Sequence, residues 1–280
     1  MKSIDSSRLS SFNRSAKITH NMSVDKIRQH PGIHVANYIK LYEYIAELHY
    51  NNPGFFLLFR GQSNDYFDDK GRTSLLPTIF RYDHHRDWYD ALEENMQSLQ
   101  SNERSIIETA ERLYDPEYLR MIKKAKVFQW AIIQHYELCG TPLLDVTQSI
   151  RVAASFACDN TARREVYIYV IAVPDISGSI TTDIDSGIQI VRLSSACHPK
   201  ALRPHIQEGY LIGEFPDIDR VEQKLMYPLK EVDLGNRLLA KFCFDPNDFF
   251  DGSFKKIEHD ELYPNSIDHF FGLIETYRHR

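Results

Sequence analysis

The sequence has no run near the roughly 20 consecutive apolar residues needed to cross a bilayer, so no membrane partner is expected. The amino terminus shows no basic-then-apolar leader pattern. Cysteine is scarce. Cys139, Cys158, Cys197 and Cys243 are scattered without a Cys-x-x-Cys pair, which argues against a zinc ribbon or disulfide scaffold and fits reduced thiols in a cytoplasmic protein. His84 and His85 stand side by side and therefore point apart, with no third ligand at useful spacing, so no metal is expected. Basic charge is not in excess. The net charge of -6 argues against a general electrostatic grip on nucleic acid. Internal repeats, low-complexity tracts, a trusted Ser-His-Asp order and Gly-rich phosphate loops of the Walker or Rossmann type are all missing.

What is present is enough chain for a sizeable core: 280 residues, with 16 Tyr and 16 Phe to fill it. Residues 1–30 are polar and serine-rich with little periodicity, and read as a flexible arm. From Val35 to Tyr50 the apolar residues recur at helical spacing until Asn51-Asn52-Pro53-Gly54 stops them. A polar loop follows between Gly61 and Arg81, readable as a lid or as surface decoration. Helices are expected over Trp88–Leu99, Glu103–Leu113 and Glu117–His135, and from Ser266 to Tyr277. Strands are expected over Glu165–Val173, Gly187–Leu193 and Leu239–Phe244. Runs of helix around separated strands predict an α+β fold with a small mixed sheet flanked by helices. The expected organisation is one domain over residues 31–280, with a helical insertion at about 84–133.

Two stretches carry the chemistry. The first, Phe55-Phe56-Leu57-Leu58-Phe59-Arg60-Gly61-Gln62, reads as a buried strand ending in a guanidinium, which needs an anionic or carbonyl partner. Gly61 would let the chain turn or a ligand come close. The second runs from Gln134-His135-Tyr136 through a Gly/Pro turn to Leu143-Leu144-Asp145-Val146-Thr147-Gln148-Ser149 and a small-residue helix. Thr147 or Ser149 suits its N-cap, beside a helix start that favours anions.

These stretches resemble the FRG domain, a bacterial and phage family named for the tripeptide that stands here as Phe59-Arg60-Gly61. The likeness extends to Gln62, Gln134-His135-Tyr136, Leu143-Leu144-Asp145, Thr147, Val152-Ala153 and Phe156-Ala157. Leu75-Leu76-Pro77, ending in Arg81, Gln207-Glu208-Gly209-Tyr210 and Leu262-Tyr263-Pro264 also fit. One departure stands out: Thr141-Pro142 occupies the place where many members have Thr-Arg, so a second arginine must come from elsewhere or be absent.

The order of these motifs is also similar to the arginine–serine–glutamate layout of ADP-ribosyltransferase-like folds, which bind NAD in the cleft of a split sheet. That likeness implies NAD as cofactor, a small-molecule nucleotide as ligand, a protein target or regulator as partner, and a role as toxin or phage-defence effector. It gives Arg60 the first position, Thr147 or Ser149 the second, and Gln207, Glu208 or Glu214 the third; with His135 added as a neutral donor or acceptor, the catalytic candidates are Arg60, His135, Thr147, Gln207 and Glu208. Ligand contacts fall to Gly61, Gln62, Arg81, Tyr136, Asp145 and Ser149. A glutamine at the third position would stabilise an oxocarbenium-like centre less well than a carboxylate. Each residue also has a plainer reading. Arg60 and Asp145 could form a structural ion pair, Thr147 and Ser149 could be helix caps, and His135 and Tyr136 could belong to the core. On that view the chain is a non-catalytic module that senses a nucleotide or a protein.

Overall fold

Strand β4 (Phe56–Gln62) organises the molecule, because Leu57, Leu58 and Phe59 are buried and leave no solvent-facing side to its first half. The computed structural model describes residues 1–82, 87–216 and 231–278; His84 and His85 lie outside the described residues. Around β4 the chain runs β1 (Ser10–Phe12), β2 (Ile18–His20), α1 (Val24–Arg28), β3 (Ile33–His34) and α2 (Tyr38–Asn51). After β4 come α3 (Trp88–Arg112), α4 (Pro116–Lys124), α5 (Lys126–His135), β5 (Leu143–Thr147), α6 (Ile150–Ala157), β6 (Val166–Val173), β7 (Ile180–Asp183) and β8 (Ile188–Arg192). The remainder is α7 (Leu193–Ala196), α8 (Arg203–Ile206), β9 (Gly209–Glu214), β10 (Leu238–Phe244), α9 (Pro246–Phe249), α10 (His259–Leu262) and α11 (His269–Arg278).

The main sheet has the order β3-β10-β6-β4-β5-β9-β8-β7, mixed because only β3 joins in parallel. This is the α+β class expected from the sequence. Its pairing is uneven. β4 pairs with β6 along its whole length, from Phe56 opposite Val173 to Gln62 opposite Tyr167. β5 likewise pairs fully with β9, from Leu143 opposite Gly213 to Thr147 opposite Gly209. Between β4 and β5 there is one opposed pair, Phe59 with Thr147. The sheet is therefore two four-stranded halves that meet at a seam.

One core, which includes Leu57, Phe59, Leu144, Val146, Ile168, Ile212 and Phe242, runs beneath both halves. A second core packs α3, α4 and α5 through Leu92, Ile106, Ile122, Trp130 and Ile133 against Leu143, Val191 and Leu211 of the second half. Helix α3 is continuous across Gln100–Asn102, where the polar run suggested a break. Met96, Leu99, Ile106 and Ala110 keep one buried face through it. The expected Glu117–His135 helix instead divides at Ala125, whose backbone is extended.

The amino-terminal reading is corrected. Residues 1–30 form the β1–β2 hairpin and α1, with Ile4, Leu9, Phe12, Val24 and Ile27 buried. The serines concealed this, since their hydroxyls and backbone find partners inside the fold. The Asn52 side chain bonds both Ser10 N–H and Ser10 C=O at 2.9 Å, and Ser11 Oγ donates to the Leu239 carbonyl at 2.5 Å. The loop after Gly61 is anchored as well. Asp65 takes a buried ion pair from Lys241 and hydrogen bonds from Thr73 and Tyr169, while Asp68 pairs with Arg72 at 2.7 Å.

Candidate functional site

At the seam the two halves part into a cleft of about 370 Å³. Its wall draws Arg60, Gly61 and Gln62 from β4, Asp145 and Thr147 from β5, Gln134 and Glu137 from the end of α5, Arg203 and Gln207 from α8 and its cap, and Tyr263 from beyond α10. Tyr66 and Arg81 come from the anchored loop region.

β4 does not end at Arg60 but continues through Gln62, and Gly61 has a different role from those expected. A methyl group on Gly61 would lie 2.8 Å from the Ala157 amide nitrogen and closer still to the Ala153 carbonyl oxygen. The glycine lets helix α6 rest directly on the strand, rather than serving a turn. The alanines of α6, Ala153, Ala154 and Ala157, are all fully buried at this contact.

Arg60 is half-buried on the opposite side of the strand. Its Nε donates to Gln62 Oε1 at 3.0 Å and its Nη1 to the Asp145 carbonyl oxygen at 2.6 Å. Nη2 has no partner among the described residues, and no carboxylate there lies within ion-pair distance of the guanidinium. Burial pulls the Arg60 pKa down; the Asp145 charge opposes this and the nearby Arg81 adds to it. Arg81 donates Nε to the Leu76 carbonyl at 2.8 Å and also has no carboxylate partner among the described residues. The direct Arg60–Asp145 ion pair considered from sequence is thus a contact to the Asp145 backbone.

The Asp145 carboxyl is held by a different group. Gln134 Nε2 donates to Asp145 Oδ2 at 2.6 Å. The amide is oriented by Thr141 Oγ1, which accepts from Leu143 N–H at 3.2 Å and so directs its own proton to Gln134 Oε1 at 2.7 Å. Thr141-Pro142 therefore lacks the family's arginine but supplies a hydroxyl that sets this carboxamide. Burial raises the Asp145 pKa above the ordinary carboxylate range, with Arg60 and the Gln134 hydrogen bond drawing it partly back.

Helix α5 ends in a Schellman motif. Leu138 N–H bonds to the Ile133 carbonyl at 3.0 Å and Glu137 N–H to that of Gln134 at 3.1 Å. This puts Glu137 at φ 56°, a left-handed position that costs a non-glycine residue roughly 1–2 kcal/mol. Its carboxylate meets Arg203 Nη2 at 2.7 Å. Arg203 is 5 % exposed, with its guanidinium 4.4 Å from the Tyr263 ring centroid and 5.7 Å from that of Tyr136. Its Nε is buried without a partner among the described residues. Arg203 thus brings a further cation to the cleft wall from a segment distant in sequence.

Of the residues singled out from sequence, Arg60, Gly61, Gln62, Arg81, Asp145, Thr147 and Gln207 line the cleft together. Two of these spend their polar groups on the backbone. Thr147 Oγ1 donates to the Gln207 carbonyl at 2.7 Å, and Gln207 Nε2 to the Leu262 carbonyl at 2.8 Å. Four residues stand outside. His135 is sealed at 1 % exposure behind Arg203, with both ring nitrogens unpartnered among the described residues. Burial first, then the Arg203 charge, hold its pKa well below the usual imidazole value. Tyr136 is core, its hydroxyl donating to Asp268 Oδ2 at 3.1 Å. Ser149 caps α6, accepting from Val152 N–H at 3.4 Å. Glu208, at φ 44°, faces solvent. Glu214, the other choice for the third position, pairs with the Met1 ammonium at 3.0 Å.

Sequence reasoning missed Gln134, Glu137, Arg203, Tyr66 and Tyr263 as cleft residues. Gln134 and Tyr263 stood in motifs already quoted and were legible there. Arg203 had no signal, since its place depends on α8 folding back beneath Tyr263. Tyr263 has no hydrogen-bond partner for its hydroxyl among the described residues, and burial pushes its pKa up to about 12.

No curated protein and no solved structure matches the chain. The family model of the FRG domain matches residues 56–165, from the first residue of β4 to the approach of β6. That stretch supplies Arg60, Gln134, Asp145 and Thr147, while Arg203, Gln207 and Tyr263 join the cleft from beyond it. With its tripeptide on the strand at the seam, the chain carries an FRG domain.

Proposed function

We propose that this cleft binds a nucleotide by its phosphates. On that reading the protein is an NAD- or nucleotide-using enzyme of the ADP-ribosyltransferase-like type, performing ADP-ribosyl transfer or NAD glycohydrolysis as a bacterial toxin or antiphage effector. One observation carries the reading: Arg60 and Arg81 face one cleft with no carboxylate partner among the described residues. Two guanidinium groups left this way favour a multiply charged anion, and phosphate takes their forked donors in pairs. The parting of the sheet at a single residue pair also agrees with a ligand cleft between half-sheets.

In such a reaction the C–N glycosidic bond breaks and nicotinamide leaves with the bonding electrons. An oxocarbenium-like ribosyl centre remains, to which water or an acceptor group adds while losing a proton. Asp145 is the residue suited to take that proton, because it lines the cleft and burial raises its pKa above the ordinary carboxylate value. The test is incubation of the pure protein with NAD while following nicotinamide release. Arg60→Gln should lower release by about 10- to 100-fold, the range for losing one charge-assisted contact. Release by the wild type that is equal in Arg60→Gln would overturn the role of the cleft.

A second reading, a non-catalytic nucleotide- or protein-sensing module, draws on a different observation. The Thr147 hydroxyl and Gln207 amide are committed to carbonyl oxygens, and Glu208 faces away. Thermal stabilisation by nucleotide, about 2.7 kcal/mol at a hundredfold excess over Kd, without nicotinamide release would favour it.

A further inference from the structure

The Arg203–Glu137 contact has properties that a simple structural ion pair does not need. Its two partners differ sharply in exposure. Arg203 is 5 % exposed, flanked by the Tyr136 and Tyr263 rings, and its own backbone N–H donates to Asp268 Oδ2 at 3.2 Å. Glu137 has a side chain 58 % exposed to solvent. The guanidinium is thus enclosed, and the carboxylate is the partner open to solvent. An exposed carboxylate is also a weak holder of such a site. Arg203 keeps unused donor capacity, since its buried Nε has no partner among the described residues. Finally, the carboxylate is borne by a residue in a left-handed position where glycine is favoured.

We propose that Arg203 is a second anion subsite of the cleft, that Glu137 is its resident counter-ion, and that the diphosphate of a nucleotide displaces Glu137 on binding. This rests on the phosphate reading of the cleft given above and adds to it a ligand class and a built-in competitor. Arg60 and Arg81 take one phosphoryl group and Arg203 the other. Until ligand arrives, Glu137 keeps the buried guanidinium neutralised. Arg60 and Arg203 line the one cleft and both charges act on Asp145, so a ligand with two phosphoryl groups gains from both while one with a single group gains less against the competitor. Specificity for a diphosphate thereby comes from the residue being displaced as well as from those that bind.

The experiment is calorimetric titration of the full chain with inorganic pyrophosphate and, separately, inorganic phosphate at fixed ionic strength. Wild type should prefer pyrophosphate. Glu137→Gln, on an exposed side chain that leaves the core untouched, should bind pyrophosphate about fivefold more tightly, as expected for removing a competing exposed ion pair. Glu108→Gln, which removes the same charge from the exposed face of α3, should leave the affinity unchanged. Arg203→Lys should reduce the preference for pyrophosphate over phosphate, provided its melting temperature is close to that of wild type. Pyrophosphate binding lost in Arg60→Gln but unaltered in Glu137→Gln would overturn the Arg203 subsite and leave the phosphate reading standing. Equal tightening in Glu108→Gln would also overturn it, as an effect of net charge. Absence of pyrophosphate binding in wild type and Glu137→Gln alike would overturn both.

Discussion

The half-sheet β3-β10-β6-β4, antiparallel but for β3, and the wholly antiparallel half-sheet β5-β9-β8-β7 are closed by different helices. The first takes α6 directly on its strand, against a glycine. The second is covered by α3, α4 and α5 through bulky side chains such as Trp130 and Ile133. Each half pairs its own strands fully, so little hydrogen bonding has to cross from β4 to β5. Where inter-strand bonding stops, polar side chains can collect without breaking a ladder. The chemistry gathers there for that reason, with Arg60 on one lip and Asp145 and Thr147 on the other.

Three substitutions test that contrast, beyond those at Arg60 and Glu137. The largest effect is expected at Gly61→Ala, since the added methyl meets the backbone of α6 rather than a flexible side chain. Overpacking of this kind should remove about 3 kcal/mol or more of stability, measured as a fall in the denaturant midpoint. A variant as stable as wild type would mean that α6 is not seated on β4.

His135→Leu probes the second half. The imidazole is held neutral in the fold, its pKa pushed far down by burial. Below the ordinary value near 6.5 the unfolded chain takes up a proton that the folded chain refuses. The stability is complete above that pH and drains away as pH falls towards the depressed folded value, at about 1.4 kcal/mol per pH unit. The leucine variant should lose this part of the acid sensitivity in thermal melts between pH 7.5 and 5, while pyrophosphate binding stays as in wild type. Loss of binding in a folded His135→Leu protein would return the histidine to the site.

The smallest effect belongs to the seam itself. Thr147→Val removes the hydroxyl that bridges to the Gln207 carbonyl and should cost about 1 kcal/mol of stability, with nicotinamide release unchanged. Abolished release at unchanged stability would instead make the hydroxyl a ligand contact, as the arginine–serine–glutamate likeness implied.

The legible parts of the fold were those where periodicity and composition agree. β4, β6, β10 and α2 carry unbroken apolar runs or clean helical spacing, and all four are present within a few residues of expectation. The strand character of β9 was hidden by its glycines, Gly209 and Gly213, which make room for Leu193 and for Leu143 with Pro142. β7 fell between the expected strands Glu165–Val173 and Gly187–Leu193, because a short edge strand such as Ile180–Asp183 has only a partly buried face. The site was half legible. Its β4 and β5 residues announce themselves as polar groups ending apolar runs. Glu137 and Arg203 do not, since they are separated by 66 positions and meet only through the turn after α5 and the return of α8.

The Arg60 side chain has a double attachment. One arm, Nη1, reaches across to the carbonyl oxygen of Asp145 on β5, the strand that meets β4 at a single residue pair. The guanidinium therefore acts as a rung tying the two lips at the place where the ladder is thinnest, while Nη2 keeps no partner among the described residues. A guest engaging the remaining donors would therefore bind a group already bonded to both lips.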